Sequence, residues 1–234
     1  MFRIRAASYV LAIVNPSLGY GGLVAYVRRC FGVKIVRGTV IMLNEALHEL
    51  GAIGFLAAIG VLWITIANPT QVSLIGEVSA FGWGCLGVYV GCVALSRVGK
   101  RLHFPHSPLS LFEEIPLRHY GVYFGLKVLQ NLVHGLWVVL AMGCFGLEVP
   151  LITGFALAQV VRLVRTLPVA AFGIGVDQLV IPTLFTPLVG AAGTGTLLAF
   201  SLAYTASIGL VRALVGVPFI SRVLDDCRQD LAFA

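Results

Sequence analysis

TLPVAAFGIGVDQ (residues 166–178) interrupts a stretch that is otherwise apolar from residue 150 to residue 190. An apolar arm leads into it, a proline and two glycines break it, and a second apolar arm follows. Proline removes a helix donor and glycine turns freely, so a helix entering this stretch is expected to end near Pro168. The same grammar recurs near the start, where residues 6–27 are interrupted by NPSLGYGG (residues 15–22). Pro16 is followed by Gly19 and Gly21, and Pro168 by Gly173 and Gly175. Freed backbone of this kind is tolerated at membrane depth only where it faces protein or a wet cavity. A pair of broken segments, one in each half, points to a transporter site. Two unrelated kinked helices would give the same pattern.

Composition supplies the membrane. Of 234 residues, 59% are apolar and 11% charged, against roughly 45–50% and about 25% in a soluble domain. So few charges cannot cover a water-soluble globule, which excludes a soluble enzyme, a disordered tail and a nucleic-acid-binding domain. The apolar runs are continuous rather than the alternating ~10-residue segments of an outer-membrane barrel. The expected fold is an all-α, polytopic transmembrane helical bundle. It forms a single integral membrane domain over 1–234, multi-pass in the cell inner (plasma) membrane. Five scattered cysteines without C-x-x-C spacing imply neither a disulfide framework nor a zinc site. The short apolar N-terminus lacks a cleavage site and is read as mature sequence.

Charge divides the chain. Eighteen of the 26 charged residues fall in four windows, 3–5, 28–37, 97–118 and 212–230. The spans lie between them, at 40–67, 72–96, 121–147 and 195–211. The windows flanking the first two spans are basic, and the turn at 68–71 carries no charge, so the basic windows are cytoplasmic and that turn lies outside. Arg3 and Arg5 also prefer the inside, so the first broken segment is drawn as a re-entrant hairpin. The second is drawn as its mirror-related hairpin, placing Arg212, Arg222 and Arg228 in the cytoplasm. A full crossing by 150–165 is the alternative. This gives two inverted half-repeats, about 1–96 and 121–220, joined by a cytoplasmic loop, 97–120. That loop either lies on the anionic inner leaflet or is a plain connector.

Eight charges fall outside the windows: Glu45, Glu49, Glu77, Lys127, Glu148, Arg162, Arg165 and Asp177. An unpaired charge at mid-bilayer costs at least ~2.5–3.5 kcal/mol, so those within spans should face a cavity or a partner. Glu45, His48 and Glu49 share one helix face, and Lys127, Asn131 and His134 another, so a Lys127–Glu pair across helices is expected. Snorkelling at helix ends is the alternative for Glu45 and Asp177. Glu45-x-x-His48 has di-iron spacing but occurs once, without the further carboxylates such a site needs. No metal, no cofactor and no catalytic residue is assigned.

The stretch NPSLGYGGLVAYVRRCFGVKIVRGTVIMLNEALHEL resembles the first block of the lysylphosphatidylglycerol synthase transmembrane-region family, a flippase-like integral membrane domain. Asn15 and Pro16 precede glycines there, Glu45 matches the family's Glu, and Glu49 the later acidic position. Ala46 replaces the usual Arg. LPVAAFGIGVDQL resembles the second block. Pro168, Gly173, Gly175 and Val176 match, while Asp177 and Gln178 stand where Arg and Glu are usual. Members of that family usually have one or two further helices ahead of the first block, so the chain is expected to be a short, divergent member or to have its start upstream. The resemblance implies movement of lipid between leaflets, not lipid synthesis.

The expected function is therefore a membrane lipid translocase for an anionic phospholipid, a glycolipid or a hopanoid-type lipid. A membrane-embedded transferase on a lipid-linked substrate, with Glu49 or Asp177 as base, and a non-catalytic scaffold are the alternatives. The expected lipid-binding residues are Asn15, Pro16, Gly19 and Gly21 at the first break and Arg162, Arg165, Pro168, Gly173, Gly175 and Asp177 around the second. Glu45, Glu49 and Lys127 are expected to line the groove between them. Arg162 and Arg165 are expected to grip a lipid phosphate, and helix N-termini at the tips to add partial positive charge. Expected partners are membrane lipids, with no nucleic acid; a partner protein or a homo-oligomer is left open.

Overall fold

The computed structural model describes residues 2–14, 16–67, 72–102, 116–166 and 175–232. Among the described residues there are eight α-helices, one short 3-10 turn and no strand. The helices are α1 (Phe2–Val14), α2 (Pro16–Phe31), α3 (Ile35–Ala67), α4 (Val72–Leu102), α5 (Leu117–Cys144), α6 (Leu151–Thr166), α7 (Val176–Val189) and α8 (Thr194–Ala232). Segments Ile35–Ile66, Arg118–Cys144 and Ala191–Ile220 are long and apolar enough to cross a membrane. Large apolar side chains such as Trp63, Ile66, Leu126, Leu140 and Leu214 are exposed on their outer faces. In water that surface would be a liability, whereas in lipid it is ordinary.

The helix order follows the sequence reading, with longer elements. The expected span at 40–67 begins five residues earlier, and that at 72–96 runs on to Leu102. The first break is narrower than expected. Helix resumes at Pro16, so Gly19, Gly21 and Gly22 belong to α2 and not to a turn. Proline at the first helical position explains this, since its missing N–H is an orphan there in any case. Gly19 serves close approach instead: a Cβ would lie 2.7 Å from Ala12 Cβ and 3.1 Å from the Ser8 carbonyl oxygen. Nothing lies within 4 Å of the corresponding point on Gly21. α2 thus doubles back on α1. Asn15, Pro168 and Gly173 lie outside the residues whose side chains or backbone are described.

α3 is the hub, packing against α2, α4, α5 and α6. α6 contacts α7, α7 contacts α8, and α8 returns to α1, which closes a ring through α2 to α3. Apolar attraction between helices is weak in lipid, so close backbone approach has to supply the packing. Small residues permit it on α3. A Cβ on Gly54 would lie 2.8 Å from both Cys85 Cβ and the Gly82 carbonyl oxygen. A Cβ on Gly60 would lie 2.4 Å from Ala156 Cβ on α6. A second core unites α5–α8 around Met142, Phe185, Leu197 and Phe200, all almost fully buried.

Replacing Gly54 by Ala should therefore lower stability by about 1–3 kcal/mol, because backbone must shift to admit one methyl. Gly91→Ala, on open surface of the same helix pair, should be neutral or slightly stabilising. Thermal midpoints of the purified variants in one detergent would check the contrast.

Candidate functional site

Two polar clusters lie inside the ring. The first joins α3, α5 and α6. Glu49 Oε1 accepts hydrogen bonds from Arg162, at 3.0 Å from Nε and 2.6 Å from Nη2. Glu49 Oε2 lies 2.8 Å from Lys127 Nζ, and the same ammonium reaches Glu45 Oε1 at 3.5 Å. The carboxylate thus stands between two cations from different helices. Arg162 takes one carboxylate oxygen with two donors and Lys127 takes the other, so each cation has its own acceptor. The expected Lys127–Glu pair is present. Arg162, expected on a ligand phosphate, has its guanidinium on Glu49 instead.

His48 packs beside this cluster and is buried. Its Nδ1 donates to the Asn44 carbonyl at 2.7 Å, and its ring stacks on Tyr120 and meets Tyr89 edge-on. Below it, Gln159 of α6 donates to the Asn131 carbonyl of α5 at 3.2 Å, while Asn131 donates to Lys127 O at 2.8 Å. Gly135 makes room for this junction, since a Cβ there would sit 2.6 Å from Gln159 Nε2.

The second cluster lies one turn further along α6. Arg165 Nε is 3.5 Å from Asp177 Oδ1, and its guanidinium lies over the Tyr204 ring, 4.9 Å from the centroid. Asp177 is fully buried at the start of α7, where the helix dipole favours an acid. Its Oδ2 accepts from the Thr205 hydroxyl at 2.6 Å, whereas Oδ1 takes no hydrogen bond. Gln178 Oε1 accepts from the Gly175 N–H, so that expected free amide is already used. Gly175 itself has a φ of 91°, a conformation suited to glycine. The Tyr204 hydroxyl is 3.0 Å from His134 Nε2, tying α8 to α5.

Between α1, α6, α7 and α8 this cluster opens into a cavity of about 270 Å³. Its polar wall is Arg165, Gln178, Thr205 and Arg212, and its apolar rim includes Ile13, Leu202 and Ile208. Leu202 and Ala206 on the rim are exposed, so the cavity meets the apolar outer surface. Arg212 reaches in from α8 and donates Nη1 to the Ala12 carbonyl at 3.2 Å. That carbonyl would ordinarily bond the N–H four residues on, but residue 16 is proline and has none. The arginine caps the acceptor that Pro16 orphans.

The structure thus brings Glu45, Glu49, Lys127 and Arg162 together, and separately Arg165, Asp177 and Gly175. Pro16 and Gly19 lie on the α1–α2 pair beside the cavity's Ile13, while Gly21 faces open space. Sequence reasoning missed Arg212, which it counted as a cytoplasmic flank, together with Tyr204 and Thr205. The one signal for Arg212 was the donor that Pro16 lacks. Among the described residues no three His, Cys, Asp or Glu side chains converge as a metal site would require. Compared with known protein families, curated proteins and solved structures, the chain matches none.

Glu49→Gln should destabilise the fold by about 3 kcal/mol, because it leaves Arg162 without its carboxylate and Lys127 with only the longer contact to Glu45. Removing both ends of the Arg162 contact, Glu49→Gln with Arg162→Met, should restore part of the loss. Unfolding midpoints of the singles and the double would measure the coupling.

Proposed function

We propose that the chain is a membrane lipid translocase that moves an anionic lipid between leaflets of the cell inner membrane. One observation carries the reading: the cavity that opens to the apolar outer surface is walled by two arginines. Among its described lining residues none is acidic. A guanidinium pair recognises a phosphate, and an apolar rim suits the acyl end of the same molecule. The resemblance to the flippase-like family points the same way, as does the break in the chain beside the cavity.

In this reading α1–α2 and α6–α7 are the re-entrant hairpins of two inverted half-repeats. Their arms support it. With 13, 16, 16 and 14 residues, at 1.5 Å each they reach only about 20–24 Å, short of the ~30 Å hydrocarbon core. Arg165 and Arg212 hold the headgroup, and the Glu49 cluster keeps α3, α5 and α6 in register beside it. The transferase alternative needs a carboxylate beside the substrate. Glu49 is occupied by two cations, and Asp177 is buried behind Arg165.

Arg165→Ala should slow translocation of a fluorescent anionic phospholipid in reconstituted vesicles about ten- to hundredfold, the loss expected for ~1.5–3 kcal/mol of charged hydrogen bonding. Gel filtration of the same variant would establish that it is folded. An unchanged rate in folded protein would sink the proposal.

A further inference from the structure

We propose that the cavity is built for a single negative charge, the phosphodiester monoanion of a lipid with a hydroxylated headgroup. It discriminates against zwitterionic headgroups and against phosphomonoester dianions. For transport this rests on the translocase reading; for binding it stands on the charge arrangement alone.

The ionised groups that line or adjoin the cavity are Arg165, Asp177 and Arg212, apart from the first cluster. Glu45 and Glu49 face Lys127 and Arg162. Asp177 faces Arg165. Arg212 is left over: among the described residues no carboxylate lies within ion-pair distance of it, and its contact is a neutral carbonyl. Among the described residues the cavity therefore carries one unmatched positive charge. A monoanion neutralises it. A dianion would leave one charge uncompensated in a medium of low dielectric, which is costly. A zwitterion brings an ammonium group, and no acidic side chain among the described lining residues is there to receive it.

The donors fit the same ligand. A guanidinium has five N–H groups, so one bond to Ala12 leaves Arg212 four for phosphate oxygens. Arg165 is only loosely paired, at 3.5 Å, and can share the other oxygen. Gln178 Nε2 has only long contacts, 3.4 Å to Thr205 Oγ1 and 3.5 Å to Ser201 O. It is placed to turn toward a headgroup hydroxyl. The cavity has a volume of about 270 Å³. That suits a phosphoglycerol-sized group and leaves the acyl chains outside, along Leu202 and Ile208.

The test is competitive retention by the purified full chain in detergent, read by native mass spectrometry. Equimolar phosphatidylglycerol, phosphatidic acid, phosphatidylethanolamine and phosphatidylcholine with identical acyl chains are supplied. The buffer is at about pH 8.5, well above the second phosphomonoester pKa of ~6. Phosphatidylglycerol should be retained about tenfold over each of the others, a difference of ~1.4 kcal/mol. Excess glycerophosphoglycerol should displace it and inorganic phosphate should not, which separates the diester headgroup from free phosphate.

Changing the charge count should change the ranking. Arg212→Gln should bring phosphatidylglycerol down to the level of phosphatidylcholine. Asp177→Asn, nearly isosteric, adds a net positive charge and should raise phosphatidic acid to first place. If Arg212→Gln does not fold, Asp177→Asn carries the test. Equal retention of phosphatidylcholine by the wild type, or an unaltered ranking in folded Asp177→Asn, would overturn the proposal. Selective binding without movement of any lipid in vesicles would remove the translocase reading and leave the headgroup assignment standing. Equal movement and equal binding of all four lipids would overturn the headgroup assignment and the anionic part of the translocase reading, leaving only movement of lipid between leaflets.

Discussion

Glu49 takes two hydrogen bonds from Arg162 and stands 2.8 Å from Lys127, so three helices meet at one carboxylate. In hydrocarbon such a charge is tolerated only with its partners in place. Each helix of the trio is therefore held in rotation and in depth, because sliding any one of them strands an ion. Apolar packing alone could not fix this, since a leucine faces lipid as comfortably as it faces another leucine. The small residues of α3 then let α4 and α6 come close enough for the remaining contacts. Close backbone packing and the intact ion cluster thus both contribute to stability in this bundle, and the ion cluster also fixes register.

The two clusters are not independent. Arg162 and Arg165 are neighbours on one face of α6, and His134 and Tyr204 close a second route from α5 to α8. The first cluster is tight and the second slack, 2.6 Å against 3.5 Å. The slack belongs on the side where a cavity exists. A cation that is already well paired cannot serve a ligand, whereas one held at long range can exchange its partner at small cost.

What the sequence discloses follows from which constraints are local. The spans were legible because the thickness of a bilayer demands long apolar runs, and α3, α4, α5 and α8 lie where those runs are. Glu45, Glu49 and Lys127 were legible as partners because helical spacing puts each on a defined face. The contact of Arg162 with Glu49 was not legible, because spacing gives the face and not the neighbour: only the packing of α6 on α3 brings the two together. The glycines after Pro16 look like a turn in one dimension. Gly19 turns out to serve the contact with Ala12, a demand that arises only once α2 folds back. Tyr204 and Thr205 carried no sequence signal, being ordinary residues in an apolar helix.

Arg212 joins the break in the chain to the cavity. Pro16 frees the Ala12 carbonyl, and in a membrane a freed acceptor has to find a donor inside the protein. The donor comes from a residue 200 positions away, so the end of α1 is fastened to α8 by an arginine. A neutral donor would satisfy the carbonyl equally well. A serine hydroxyl or an asparagine amide would do so without importing a charge that hydrocarbon penalises. Choosing arginine makes sense only if the other four donors, and the charge, have a use. In the proposed reading that use lies in the cavity, which Arg212 lines together with Arg165. One side chain thereby closes the defect left by the proline and lines the cavity. In the proposed reading the broken helix and the anion-binding wall are parts of a single arrangement.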